Sequence, residues 1–302
     1  FFFKMLLLFG SSIKVVFLAM VLLVTNTNRA YSSSSSIHDT TEWSHEGNNF
    51  ITVRGRDGTI VVTPRGNPSN EQQTITTTSA TVIFCHGLGD TAEGWVDVIE
   101  QFATQMNHVK FILPTAPIQR VTLDRGRTMP SWYDIVGFDD KFDEHCSGIL
   151  ESREIIRSIL STEHEQSGAP YSRMALAGHS QGASLSLFAA LTQPTPKQKL
   201  AGAVVMSGYL ASGKHKFKLT PGLEDTPILH CHGMQDDVVL YEMAHKSKQL
   251  LETKYGAKNY TIKSYPNMVH DVIDEELKDA VSFLQSILPP IEDKVCKIEN
   301  PE

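Results

Sequence analysis

The sequence predicts a single α/β domain, a mostly parallel central sheet with helices on both faces. Three observations predict it. From Phe50 onward, short apolar runs recur; stretches with apolar residues at helical spacing lie between them; and no internal repeat or second linker interrupts the series. At 302 residues, 41% hydrophobic and 20% charged, the chain is long and apolar enough to bury a substantial core.

Residues 1–30 stand apart. They contain no acid, carry Lys4, Lys14 and Arg29, and centre on the apolar run Val15 to Val24 before small Ala30. This pattern is expected of a secretory signal peptide. A membrane anchor over residues 5–24 is the competing expectation, but it reaches spanning length only by including Ser11, Ser12 and Lys14. Residues 31–49 contain the run Ser32 to Ser36 and are otherwise polar, so they read as a serine-rich, unordered linker.

The domain is expected over residues 50–288, with 289–302 as a C-terminal tail. Ile51 to Pro64 reads as a hairpin around Asp57-Gly58. Strands are expected at Ala80 to Cys85, Lys110 to Leu113, Met174 to Ala177, Ala203 to Met206, Ile228 to Cys231 and Tyr260 to Ser264. Helical spacing is carried by Val96, Ile99, Phe102 and Met106, by Ile149, Ile156 and Leu160, and by Ile273, Leu277, Val281 and Leu284. In such sheets, ligands sit beyond the carboxyl ends of the strands, so the residues following each apolar run are the functional candidates.

The balance of 27 basic against 34 acidic residues, a formal charge of −7, argues against a nucleic-acid partner, because no global basic surface is available to displace counterions. Four cysteines are too few for a disulfide scaffold.

Gly178-His179-Ser180-Gln181-Gly182 follows the strand Met174 to Ala177 and opens a stretch, Ala183 to Leu191, expected to be an amphipathic helix. A G-x-S-x-G segment between strand and helix forces the serine into a sharp turn that presents its hydroxyl above the sheet. It also places the Gln181 amide at a helix N-terminus, where an oxyanion is stabilised. Serine needs a base and an orienting acid. Asp236 follows the strand Ile228 to Cys231, and His270 follows the strand Tyr260 to Ser264. The order Ser180, Asp236, His270 is that of α/β-hydrolases. Asp237 competes with Asp236 for the acid role, and is expected instead to face solvent or cap a helix starting near Leu240. The second oxyanion donor is expected from Leu88, in the glycine-rich turn His86-Gly87-Leu88-Gly89-Asp90 after Cys85.

Five segments in order resemble the acyl-protein thioesterase and lysophospholipase/carboxylesterase family. They are His86-Gly87-Leu88-Gly89-Asp90-Thr91 with Gly94-Trp95, Leu113-Pro114-Thr115-Ala116-Pro117, Met129-Pro130-Ser131-Trp132-Tyr133-Asp134, Gly178-His179-Ser180-Gln181-Gly182, and His232-Gly233 before Asp236. The resemblance spans roughly residues 76 to 288. It implies a small α/β-hydrolase that cleaves acyl thioesters or esters, including S-palmitoyl groups on proteins, with Ser180, Asp236 and His270 as triad, Leu88 and Gln181 as oxyanion donors and Trp132 near the acyl site. Carboxylesterase or lysophospholipase activity on small or lipid esters, and a catalytically idle ligand-binding fold, are the alternatives. The chain departs from the family in residues 1–75 and in its tail; many members are cytoplasmic, which sets that compartment against the secretory one.

The chemistry requires no metal and no organic cofactor. His230 and His232 could face a metal from one strand, but nothing nearby supplies a third ligand, so packing is expected of them. Two strands should separate Cys85 from Cys231, too far for a disulfide, which leaves Cys146 with Cys296 as the one pairing open. Asn259-Tyr260-Thr261 is a glycosylation sequon with meaning only in the secretory pathway. Arg120, Arg125 and Arg127 cluster in what reads as a loop before Trp132, either merely solvated or a peripheral contact with anionic membrane.

Overall fold

The structure is a computed structural model and describes residues 41–46, 50–65, 78–137 and 141–291. These belong to one unit, Thr40–Glu302. Residues 1–40, with the signal segment and most of the linker, and residues 292–302, with Cys296, lie outside the described residues.

The strands run β1 Thr41–Glu46, β2 Phe50–Gly55, β3 Ile60–Pro64 and β4 Ala80–Cys85; helix α1 is Val96–Gln105. Next come β5 Val109–Leu113, β6 Ile118–Val121, β7 Arg127–Pro130, α2 Ile149–Ser167, β8 Met174–His179, α3 Gln181–Leu191 and β9 Gly202–Met206. The chain continues through β10 Ile228–Gly233, α4 Glu242–Tyr255, β11 Tyr260–Tyr265 and α5 Asp274–Ile287. Among the described residues the main sheet has nine strands in the order β1-β2-β3-β5-β4-β8-β9-β10-β11. The pairs from β5 through β4, β8, β9 and β10 to β11 are parallel, and those joining β1, β2, β3 and β5 are antiparallel.

Burial explains the sequence pattern. Every residue of β4, β9 and β10 is buried, as expected of parallel strands covered on both faces, whereas β3 alternates between buried and half-buried positions. Along β4, Ile83 and Cys85 enter the core under α2, α3 and α4, while Val82 and Phe84 enter the core under α1 and α5. Helix α3 corrects the expectation of an amphipathic helix over Ala183 to Leu191: it is buried over its whole length, so it has no solvent face and its sequence is apolar and small throughout. Among the described residues, no helix is long and apolar enough to cross a membrane.

The hairpin around Asp57-Gly58 is present: Gly58 has φ +81°, and Asp57 Oδ1 accepts the Thr59 N–H at 3.0 Å. Two elements correct the sequence expectation. Thr41–Glu46, placed above in an unordered linker, is an antiparallel edge strand on β2 with Ser44 and Glu46 exposed. Backbone pairing on one side suffices for such a strand, so it needs no apolar pattern. The basic segment holding Arg120, Arg125 and Arg127 is a hairpin, β6 paired with β7, with Arg125 in the left-handed region at φ 57°. Cys85 and Cys231 are separated by two strands, β8 and β9, as expected, and both are buried free thiols, as is Cys146.

Candidate active site

The site lies at the carboxyl edge of the parallel strands. Ser180 joins β8 to α3 with φ 54° and ψ −119°, a conformation that a non-glycine residue holds only when its surroundings impose it. Its N–H donates to the Met206 carbonyl at 2.8 Å. Gly182 packs the first turn of α3 onto the end of β4 so closely that a Cβ there would collide with the Cys85 and His86 carbonyl oxygens. The same approach brings the turn after β4 against the serine: a Cβ on Gly87 would stand 3.5 Å from Ser180 Cβ.

The three triad candidates meet. Ser180 Oγ lies 2.9 Å from His270 Nε2, and His270 Nδ1 lies 2.7 Å from Asp236 Oδ2. With Nδ1–H donated to the carboxylate, Nε2 is the acceptor for the serine hydroxyl. The Asp236 side chain is fully buried, while that of His270 remains 15% exposed. Asp236 Oδ1 accepts the N–H groups of Val238 at 2.9 Å and Val239 at 2.8 Å. Burial alone would raise the Asp236 pKa, but hydrogen bonds from His232 and His270, the charge of His270 and the Val239 amide outweigh it and hold the carboxyl below the usual carboxylate range. Asp237 is exposed. The choice between the two is therefore made by the turn, which aims one carboxylate inward.

A buried relay stands behind Asp236. His232 Nε2 is 2.7 Å from the Val239 carbonyl and 3.3 Å from Asp236 Oδ2, so this nitrogen carries the proton. His232 Nδ1 must then accept from His230 Nε2–H at 3.2 Å, and His230 Nδ1 accepts the Tyr260 hydroxyl at 2.6 Å. Both histidines are fully buried. Burial and the neighbouring His232 push the His230 pKa well below the ordinary histidine range, so it stays neutral. Their ring nitrogens are engaged with protein partners, and among the described residues no group of three or more histidine, cysteine or acidic side chains could hold a metal. The sequence reading missed His232 as the partner of Asp236; the i, i+4 spacing across the end of β10 was the available signal.

The oxyanion candidates are flanked by a hydrogen-bonded frame. The amides of Leu88 and Gln181 donate to no other described residue. His86 Nδ1–H donates to the Gly87 carbonyl at 2.7 Å and Nε2 accepts the Ala116 N–H at 2.9 Å, tying the turn after β4 to the Leu113–Pro117 segment. Gly89 N–H donates to the Pro130 carbonyl at 2.9 Å, and Asp90 accepts the Trp95 indole N–H at 2.9 Å. Gln181 Oε1 accepts the Trp132 N–H at 2.8 Å, and its Nε2 donates to the Tyr133 carbonyl at 2.7 Å.

Trp132, expected near the acyl site, is fully buried and donates its indole N–H to the His86 carbonyl at 2.8 Å. Through that bond it braces the turn that carries Leu88. His179 is half-buried at the end of β8, its ring 5.2 Å from that of His270, and desolvation followed by the charge of His270 lowers its pKa to about 3. It remains neutral beside the imidazole on which positive charge develops.

Comparison with known proteins agrees with this geometry. The phospholipase/carboxylesterase family model matches residues 71–288. Acyl-protein thioesterase 1 of Mycosarcoma maydis is 34% identical over 244 residues, 76% of this chain and 97% of that protein. Acyl-protein thioesterase 1 homolog 1 of Dictyostelium discoideum is 39% identical over 220 residues, 72% of this chain and 95% of that protein. The crystal structure of Zea mays acyl-protein thioesterase 2 aligns with a TM-score of 0.61 at 26% identity, covering 76% of this chain and 98% of that one.

Proposed function

This chain belongs to the phospholipase/carboxylesterase family of α/β-hydrolases and is a serine hydrolase of acyl esters and thioesters, and we propose that it deacylates S-palmitoylated proteins through an acyl-enzyme on Ser180. The unbroken hydrogen-bond chain from Ser180 through His270 to Asp236 carries the proposal, in a chain whose relatives include acyl-protein thioesterases at 34% and 39% identity.

The mechanism follows from where charge develops. His270 Nε2 takes the Ser180 proton as Oγ attacks the acyl carbonyl, and Asp236 stabilises the resulting imidazolium. The oxyanion is received by the amides of Leu88 and Gln181, the latter at the positive end of α3. Each donor of this kind contributes about 2.7–4 kcal/mol to the transition state. His270 then protonates the departing thiolate, and water, activated by the same histidine, releases the acyl chain.

Carboxylesterase or lysophospholipase action on small or lipid esters uses the same groups. Competing a palmitoylated cysteine peptide against lysophosphatidylcholine separates these readings: preferential consumption of the peptide supports protein deacylation, and preferential consumption of the lipid overturns it. Fluorophosphonate labelling of Ser180 would exclude an idle ligand-binding fold.

Two further expectations belong to this proposal. Palmitoylated substrates lie on membranes, and the β6–β7 hairpin exposes Ile118, Arg120, Arg125 and Arg127, which suits peripheral contact with anionic lipid. Unchanged vesicle binding after alanine replacement of the three arginines would remove that part. Residues 1–30 route the chain into the secretory pathway, with cytoplasmic residence or anchoring through residues 5–24 as the competing outcomes. Asn259 is exposed, and its amide nitrogen donates to the Asp225 carbonyl at 2.9 Å. A glycan on Asn259 would support secretory passage, and its absence from a protein recovered only in cytosol would contradict it.

A further inference from the structure

At the end of α3 farthest from Ser180, an open cleft of about 480 Å³ is lined by Arg153, Arg157, Lys216 and Lys218, with Thr192 and Thr220 beside them. Ser180 precedes α3 and Thr192 follows it, so the helix of roughly 16 Å, at about 1.5 Å per residue, separates this cleft from the triad. We propose that the cleft binds a phosphate-bearing ligand, a phosphate monoester either free in solution or displayed as a lipid headgroup.

The first reason is charge. Four fixed cations line one cleft in a protein whose formal charge is −7. The acids close to them do not balance this. Glu154, with a side chain 56% exposed, is shared by Arg153 at 2.8 Å and Arg157 at 2.6 Å. Asp143 is engaged by His215 at 2.9 Å and lies 4.0 Å from Lys214. Among the described residues Lys216 Nζ meets only a carbonyl, that of Cys146 at 3.3 Å, and Lys218 has no acidic partner.

The second reason is that the arrangement is held together against its own repulsion. Arg153 and Arg157 stand at i, i+4 on α2, where like charges destabilise a helix. Arg157 is half-buried, and its Nε has no hydrogen-bond partner among the described residues, so the guanidinium is held at the cleft without its full set of protein partners. Lys216 and Lys218 flank Phe217, which is buried with its ring edge-on to Phe188 at 5.6 Å and to Tyr255 at 5.1 Å. The two lysines are thus carried to the cleft by an anchored segment.

Attraction to the carbonyl end of α3 accounts for only part of the cluster. Arg157 Nη2 donates to the Thr192 carbonyl there. Arg153 and Lys216 contact other groups, and Lys218 none of the helix carbonyls. Planar guanidinium forks combined with compact ammonium groups suit the several oxygens of a phosphate. A monoester carries close to two negative charges at neutral pH, which matches a cluster this size better than a carboxylate does.

The site is independent of the acyl substrate, so its test does not need the thioesterase reaction. Inorganic phosphate and pyrophosphate would be titrated calorimetrically into the wild-type full chain and into Arg153→Gln/Lys218→Gln, both exposed or half-buried positions whose loss leaves the fold intact. Flotation with phosphatidylcholine vesicles containing phosphatidic acid or phosphatidylserine forms the second arm. The expected result is saturable binding weakened roughly tenfold or more in the variant, with unchanged hydrolysis of a water-soluble ester as the folding control. Binding of the soluble anions without a phosphatidic acid preference identifies a free ligand; a preference for phosphatidic acid over phosphatidylserine, lost in the variant, identifies a headgroup. Absence of saturable binding, or equal binding by wild type and variant, overturns the proposal.

Discussion

The side-chain oxygen of Gln181 accepts the backbone N–H of Trp132 at 2.8 Å, so the residue that offers its own amide beside Ser180 is clamped by the segment that also braces the turn after β4. The two proposed oxyanion amides are thereby referenced to a common support. Gln181→Ala removes this bond together with those from Nε2 to the Tyr133 carbonyl and the Ser131 hydroxyl. It should lower kcat with little change in KM, and lower stability by about 1–3 kcal/mol. Steady-state kinetics beside thermal unfolding measure both; a rise in KM with unchanged kcat would show that the side chain does not position the amide.

Asp236→Asn should lower kcat by a factor on the order of 10⁴ by undoing the tautomer of His270. Asp237→Asn, at an exposed position, should stay within about 0.5 kcal/mol of wild type in stability and retain turnover. Comparable losses in the two variants would contradict the assignment of the acid. Because the folded Asp236 pKa is depressed, its stabilising contribution is present above the unfolded carboxylate value of about 3.9 and is lost as pH falls through the lower folded value.

Glu276, in the first turn of α5, has the opposite sign. It is fully buried, and burial followed by the charge of Asp271 outweighs the Ile273 amide and pushes its pKa up to about 8. The unfolded chain releases this proton near 4.3, so between about 4.3 and about 8 the folded state holds more protons and stability falls as pH rises. Glu276→Gln should therefore stabilise the protein more at alkaline than at acid pH. Unfolding curves recorded on both sides of that window decide it, and an equal effect throughout would mean that the carboxyl is not held protonated.

Cys85, Cys146 and Cys231 are buried, and burial pushes each thiol up to about 12. Iodoacetamide should leave all three unmodified and activity intact in the native protein, and peptide mass mapping after brief exposure checks this. Modification of any of them with loss of activity would expose a thiol contribution absent from this account.

The triad was legible because each member closes an apolar run at the same edge of the sheet, and strand order alone brings Ser180, Asp236 and His270 together. The turn at Asp57-Gly58 was legible from its residues. Thr41–Glu46 was not, because an edge strand satisfied by backbone pairing carries no alternation. The β6–β7 hairpin escaped because four-residue strands are too short to show a period. Trp132 could be placed in the right segment, but its bonds to Gln181 and His86 were not legible, since they depend on packing between distant segments. His232 was taken for packing when it also holds Asp236.

The central claim is that Ser180 carries an acyl group removed from a cysteine thioester. It is tested most directly by hydrolysis of one peptide bearing palmitate as thioester and as the matched oxygen ester, by wild type and Ser180→Ala. Faster thioester cleavage by wild type, a palmitoylated Ser180 trapped by rapid quench, and loss of turnover in the variant are the results expected. Equal activity in the two proteins would contradict Ser180 as nucleophile, and cleavage confined to the oxygen ester would contradict protein deacylation.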